Sequence, residues 1–316
     1  MPSRECVIVA VDYAPPWPKA GRPPHGMALT ARALLDAGFE EELARDGLAV
    51  RRLVRVGAPA GDPKVALPVV AGRVAFEVEG ALREDRFPIV IGDCSSAVGV
   101  AAGLTRASDG NAVLVWCDAH ADLNTPETSP SGFYGGMPLA TIIGRGAPWW
   151  RDGAGGGLPL SEDRVALVGL RERDLDPGER AILADAKVTY HPPQAFRDPE
   201  SRVEVLSGLR ELLSAFGPSS AEAQAAPSRG LYFHVDVDVL DPSILPSVYF
   251  PSPGGLAVAD LYDLARACRT LGPVALAVTS LDPLAAPADS RSVPGGPSPA
   301  TVAAWAARIA RHLAND

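Results

Sequence analysis

Positive charge is in short supply in this sequence. Its 316 residues carry 29 Lys+Arg against 38 Asp+Glu, a net charge of −9, and only Lys19, Lys64 and Lys187 are lysines. That deficit argues against nucleic acid or an anionic membrane as partner, since either asks for a basic face. Long apolar runs are missing too. The first, 6–11, stops at Asp12 with no basic stretch before it, so it is expected to be a buried strand and not a secretory leader. No run nears the ~18 apolar residues of a membrane span. Cysteine is sparse: Cys6, Cys94, Cys117 and Cys268 show no CxxC spacing, and three of them sit inside apolar runs. Such a pattern belongs to reduced thiols, and a cytoplasmic location is expected. With 47% hydrophobic and 21% charged residues, the composition is that of a globular chain able to bury roughly 75% of its unfolded surface.

What is present is an alternation. Short apolar, β-branched runs recur at 6–11, 49–54, 87–91, 112–117, 165–168, 188–190, 231–239 and 274–278. Helical patterns fall between most of them, at 27–45, 95–106, 177–184, 202–216 and 257–269, with a last one at 299–313. Nearly all-apolar strands alternating with helices predict a parallel sheet covered on both faces. The Pro/Gly-rich stretches 15–24, 144–159, 217–230 and 283–297 read as loops, because none separates two blocks that could each hold a core. One α/β domain over 1–316 is therefore expected.

In open parallel sheets the working residues lie just beyond the carboxyl ends of the strands. The run 112–117 leads into Asp118-Ala119-His120-Ala121-Asp122, and the run 231–239 contains His234-Val235-Asp236-Val237-Asp238. Polar groups at spacing two share one face of an extended segment, so carboxylates and imidazoles converge at both places. Buried together they need compensation, and oxygen-rich ligands with one imidazole suit Mn²⁺ better than a soft metal.

At these residues the sequence resembles the ureohydrolases, the family of arginase, agmatinase and relatives. Asp118 to Pro126 (Asp-Ala-His-Ala-Asp-Leu-Asn-Thr-Pro) looks like the family's long metal motif. Asp236-Val237-Asp238-Val239-Leu240-Asp241-Pro242 looks like its second, and Ile91-Gly92-Asp93-Cys94-Ser95 occupies the place of Gly-Gly-Asp-His-Ser. The resemblance implies a three-layer α/β/α fold, arginase-like, with a central, mainly parallel sheet of about eight strands. It also implies two Mn²⁺ ions: one held by Cys94, Asp118, Asp122 and Asp236, the other by His120, Asp118, Asp236 and Asp238, with Asp118 and Asp236 bridging. Asp122, His120 and Asp236 are taken as the catalytic residues among these. Two such cations lower the pKa of a shared water, giving a hydroxide that attacks a guanidinium or amidine carbon. Asn124 and Ser131 coincide with family contacts to an α-carboxylate, and Asp176 and Glu179 with contacts to an α-amino group. The segment Asp176-Pro177-Gly178-Glu179 also reads as a helix start with Asp176 as N-cap.

Three positions depart from the family pattern. Cys94 replaces a ligating histidine, Gly135 a proton-shuttling histidine, and Ser280 a glutamate that grips the guanidinium. Asp282, two residues on, is a candidate substitute for that glutamate. Four aspartates, two divalent cations and a hydroxide leave about −1, and a Cys94 thiolate would make it about −2, which weakens the preference for Mn²⁺. The cysteine, Pro126-Glu127-Thr128, Gly135-Gly136-Met137 and His234 resemble the branch that hydrolyses N-hydroxy-arginine. The expected function is hydrolysis of a C–N bond in a guanidino or N-hydroxyguanidino amino acid, a small-molecule substrate. Two alternatives stay open: a ureohydrolase-like binding protein without turnover, and a hydrolase of formimino or other amidine groups. A homo-oligomer is compatible with the sequence.

Overall fold

Strands buried on both faces tolerate uninterrupted apolar sequence, and the eight apolar runs form eight strands. They are β1 (Arg4–Val11), β2 (Leu48–Val56), β3 (Phe87–Gly92), β4 (Ala112–Cys117), β5 (Val165–Val168), β6 (Thr189–His191), β7 (Gly230–Asp236) and β8 (Val274–Thr279). The computed structural model describes residues 4–17, 25–215, 230–269, 274–285 and 298–314. All strand pairings are parallel, in the order β2-β1-β3-β8-β7-β4-β5-β6. Of the expected loops, residues 18–24, 217–229 and 286–297 lie outside the described residues, as does 216 at the end of the helix expected over 202–216.

Helices cover both faces. On one side Ile8, Ile89, Val115 and Phe233 pack toward α1 (Thr30–Asp36), α2 (Phe39–Arg45), α8 (Pro199–Ala215), α9 (Val258–Ala267) and α10 (Pro299–Ala314). On the other, Val9, Val90, Leu114 and Tyr232 pack toward α3 (Pro63–Arg83), α4 (Ala97–Ala107), α5 (Pro138–Ile142) and α6 (Pro148–Gly153), with α7 (Pro177–Asp185) at its edge. The result is the expected three-layer α/β/α arrangement.

Three local expectations are corrected. The helix expected over 27–45 is split into a 3-10 turn, α1 and α2, because Gly38 between them takes φ +88°, where other residues are strained. The strand expected over 231–239 ends at Asp236, and Val237–Val239 is a 3-10 turn held by Asp236, whose side chain accepts a hydrogen bond from Asp238 N. Three helices, α3, α5 and α6, were not among those expected, and α6 falls inside 144–159, which was read as a loop because its Pro and Gly residues mask one short turn of helix begun by Pro148; in α3 Pro68 interrupts the pattern, yet Leu67, Val70, Ala71, Val74 and Val78 make a buried stripe of helical period.

Register places the site. Thr279 of β8 is aligned with Gly92 of β3 and with Asp236 of β7, while Val235 is aligned with Cys117 of β4. Four adjacent central strands thus end at one level, and the residues that follow them meet.

Candidate metal centre

β3 delivers Cys94, β4 delivers Asp118, β7 ends in Asp236 and β8 leads into Ser280. The side chains converge through turns and not through the extended alternation expected from the sequence. Asp118 Oδ1 accepts a hydrogen bond from His120 N at 2.7 Å, and Asp236 Oδ1 accepts one from Asp238 N at 2.9 Å. Asp122 takes the left-handed φ of +50°, which aims its carboxylate back at the cluster. His120 Nδ1 lies 3.1 Å from Asp238 Oδ2 and 3.5 Å from Asp118 Oδ1. Asp238 Oδ1 accepts from Ala119 N at 3.2 Å, tying the two motifs together.

Cys94 is enclosed. Its Sγ lies 2.7 Å from Asp236 Oδ2, 3.3 Å from the hydroxyls of Thr279 and Ser280, and 3.6 Å from His234 Nε2. His234 is held from both sides: its ring stacks on Trp116 at 3.7 Å, and its Nδ1 pairs with the Tyr232 hydroxyl at 2.8 Å. Burial brings its pKa down to about 3, so it stands neutral beside the thiol.

The cluster carries more negative charge than its surroundings offset. Burial, then the charge of Asp238, pushes Asp118 up to about 6. Burial and facing carboxylates hold Asp122 and Asp236 well above the usual carboxylate range. Burial and the same aspartates raise the Cys94 thiol, which is therefore a neutral donor to Asp236. Burial works against ionised Asp238 and His120 alike, but each supplies the other's counter-charge, which lowers Asp238 and raises His120.

These residues fit divalent cations. Asp118, His120 and Asp238 bring donor atoms within 4.8 Å of one another, as do Cys94, Asp118 and His234. Asp122 Oδ2 is buried without a hydrogen-bond partner among the described residues, a cost that a cation would remove.

A cavity of about 150 Å³ opens over the cluster. Of the sequence-predicted substrate residues, Asn124, Ser131, Glu179 and Ser280 line it, whereas Asp176 and Asp282 do not. Asp176 caps α7, accepting from Gly178 N at 2.8 Å and Glu179 N at 3.0 Å, and it takes a third bond from Asn124 Nδ2 at 2.8 Å. Its influence on the cavity runs through Asn124. Asp282 Oδ1 accepts from Gly26 N at 2.9 Å and Leu284 N at 2.8 Å, so it clips two loops together and does not stand in for a carboxylate at position 280. Ser280 itself has φ +65° and turns its hydroxyl onto Cys94. Glu179, raised by burial and then by Asp176, reaches about 7.

Two features were missed in the sequence. Trp17, Phe133, Tyr249 and Phe250 form an aromatic wall of the cavity, from loops too distant in sequence to signal one another. Arg171 is 5% exposed and gathers backbone carbonyls: Nη1 donates to Gly169 O, and Nη2 lies at 2.8 to 3.2 Å from the oxygens of Asp238, Val239, Leu240 and Ser252. Its own N–H donates to Ala119 O at 2.9 Å. An arginine at the head of the charged run Arg171-Glu172-Arg173-Asp174 gives no such signal in one sequence.

A family model described as the arginase family matches residues 13–313. An arginase of Schizosaccharomyces pombe is 30% identical over 277 residues, which span 84% of this chain and 81% of that one. The arginase of Bacillus subtilis is 34% identical over 205 residues, 62% of this chain and 64% of that one. The crystal structure of Bacillus subtilis arginase at 1.7 Å resolution superposes with a TM-score of 0.79 over 99% of both chains at 24% identity, a likeness of fold.

Proposed function

The chain belongs to the arginase family of hydrolases, and on that premise we propose that it is a metal-dependent amidinohydrolase cleaving a C–N bond of a guanidino or N-hydroxyguanidino amino acid. The observation that carries this reading is the buried, unpaired Asp122 Oδ2 at a cavity floored by Cys94, His120, Asp236 and Asp238. Asp118, His120 and Asp238 would hold one Mn²⁺, and Cys94, Asp122 and Asp236 the other, with Asp118 and Asp236 shared. Two cations there would lower the pKa of a shared water and supply the nucleophile for the guanidine carbon. The chain's own groups do the rest. Asn124 and Ser131 offer hydrogen bonds to an α-carboxylate, and Glu179 an acceptor to an α-ammonium.

Position 135 supplies no imidazole, which favours a less basic guanidine. This supports N-hydroxy-arginine over arginine as substrate, with hydroxyurea and an amine as products. The eight strands share one sheet, which supports reading 1–316 as one arginase-like domain. We place the protein in the cytoplasm, in keeping with four buried free thiols, and leave room for a homo-oligomer. No helix among the described residues is long and apolar enough to cross a membrane.

Ser280 and the diverted Asp282 favour one second reading, hydrolysis of a formimino or other amidine group, because no carboxylate stands at 280 to pair a guanidinium. A side-by-side assay with metal content measured on the same sample separates the readings. Release of urea or hydroxyurea from arginine or N-hydroxy-arginine, faster than from agmatine or guanidinobutyrate, is expected. Faster release from the latter pair would remove the amino-acid reading. Ammonia release from formimino compounds alone would favour the second reading, and metals bound with no turnover of any compound would favour a binding protein.

A further inference from the structure

The two halves of the centre offer different atoms. Around His120 the donors are one imidazole and the carboxylates of Asp118 and Asp238, a hard, oxygen-rich set. Around Cys94 they are sulfur, the imidazole of His234 and a carboxylate of Asp118. His234 is fully buried, and its ring is fixed by the Trp116 stack and by the Tyr232 hydroxyl at Nδ1. When that hydroxyl accepts from Nδ1–H, Nε2 keeps its lone pair on the side of Cys94.

Two neighbours are near enough to claim that lone pair, and each has another acceptor. The thiol donates to Asp236 Oδ2 at 2.7 Å, and the Thr279 hydroxyl, 3.4 Å from Nε2, donates to Val235 O at 3.3 Å. Nε2 lies 3.6 Å from Cys94 Sγ. A tetrahedral zinc ion, about 2.3 Å from sulfur and about 2.0 to 2.1 Å from nitrogen, sets two such ligands about 3.6 Å apart. Sulfur and imidazole on one ion also favour zinc over manganese, which stands at the weak end of the divalent series and prefers six oxygens. Cys94 lines the cavity, so an ion can reach it from there.

We propose that Cys94 and His234, with Asp118 and Asp236, form a zinc-selective half of the centre, so that the loaded protein carries one Zn²⁺ beside one Mn²⁺. His234, outside the ligand sets given above, is the nitrogen ligand of this half, and the thiol proton passes to solvent as the ion binds. The proposal rests on the metal-dependent reading and changes the identity of the second ion.

The test counts metals. Chelated protein is given one equivalent of Zn²⁺ per chain in excess Mn²⁺, and native mass spectrometry should find one of each ion. His234→Asn keeps a polar partner for the Tyr232 hydroxyl but has no Nε2; its zinc affinity should fall by at least about 10-fold, with Mn²⁺ retained in the other half. Cys94→Ser should do the same, and it should abolish the thiolate-to-cobalt charge-transfer band that one equivalent of Co²⁺ gives in the parent. Tyr232→Phe, which removes only the hydroxyl behind Nδ1, should weaken zinc by about 10-fold and serves if His234→Asn does not fold. Two Mn²⁺ held against Zn²⁺, or zinc affinity unchanged in His234→Asn and Tyr232→Phe, overturns the zinc site and leaves the metal-dependent reading standing. A parent protein that binds no divalent ion overturns both.

Discussion

Cys94 Sγ lies 2.7 Å from Asp236 Oδ2, in the place where the resemblance expects an imidazole. As a neutral thiol it donates to that carboxylate; as a thiolate it would add a further negative charge to four buried aspartates. Cys94→His should therefore raise Mn²⁺ occupancy toward two per chain, because a neutral nitrogen suits a harder cation than sulfur does. The crowding by His234, Thr279 and Ser280 within 3.6 Å means that His234 must shift for the new ring to fit. Elemental analysis checks this, and two fully bound Mn²⁺ in the unmodified protein with the same affinity in Cys94→His would count against it.

The ligand groups overlap at Asp118, which belongs to both. Asp118→Ala and Asp236→Ala should each strip both metals, whereas His120→Ala and Asp238→Ala should remove mainly one. Stoichiometry by mass spectrometry of the native protein decides it. Unchanged metal content in Asp236→Ala would mean that the ligand assignment is wrong.

The carboxyl-end location of this cluster was legible from sequence because apolar strands stop abruptly at charged residues, and Asp118 and Asp236 could be read from that alone. The way they converge was not, since the spacing of two suggested an extended face while the backbone makes Asx-type turns. Asp282 matched the spacing rule and still points elsewhere, because the amides of Gly26 and Leu284 claim its carboxylate. Trp17 and Phe250 are 233 positions apart, and nothing local could pair them. Helix α3 was hidden by Pro68, its sixth residue, which lies past the first turn and forgoes one intrahelical bond; the buried stripe from Leu67 to Val78 carries the helix through it.

Without metal, the buried carboxyls should make stability fall with rising pH. Asp118 goes from 3.8 to about 6 and Glu179 from 4.5 to about 7. A carboxyl raised on folding contributes stability that is complete below its unfolded value and is lost as the pH climbs through its folded value. Asp238, lowered, acts in the opposite sense, but Asp122 and Asp236 join the raised group. The chelated protein should thus lose thermal stability between about pH 4.5 and about pH 7, and stabilisation by Mn²⁺ should grow over the same window as cations replace protons. Glu179→Gln, with one titration removed, should show a shallower decline. A melting temperature that rises across the window in chelated protein, with Glu179→Gln indistinguishable, would contradict this.

Arg171 binds the carbonyls that follow Asp238 and the amide route back to Ala119, so it fixes both metal motifs at once. Arg171→Met would leave those buried carbonyls without their charged donor, a loss on the order of 2 to 3 kcal/mol. Arg171→Lys should recover little, since one ammonium cannot span the carbonyls that the guanidinium fork reaches. Chemical denaturation should give the loss, and metal retention should fall in parallel. A lysine variant as stable as the parent would show that geometry here is not the determinant.

Gly135 is a cavity-lining residue whose missing side chain is replaced in space by the Phe133 ring. Restoring a histidine there is therefore not a one-residue change. Gly135→His alone should overpack the wall, costing about 1 to 3 kcal/mol and lowering turnover. Paired with Phe133→Ala, which vacates the space, the same histidine can reach the cavity and act as a general acid-base, a role worth about 10² to 10⁴ in rate elsewhere. The double variant should gain on arginine more than on N-hydroxy-arginine, because the same amine leaves from both and the more basic, less electrophilic guanidine of arginine depends more on acid–base assistance. Comparing kcat on both substrates in the single and double variants tests this coupling; a Gly135→His protein that is stable and already faster would show that Phe133 yields freely, and that the wall is softer than its packing implies.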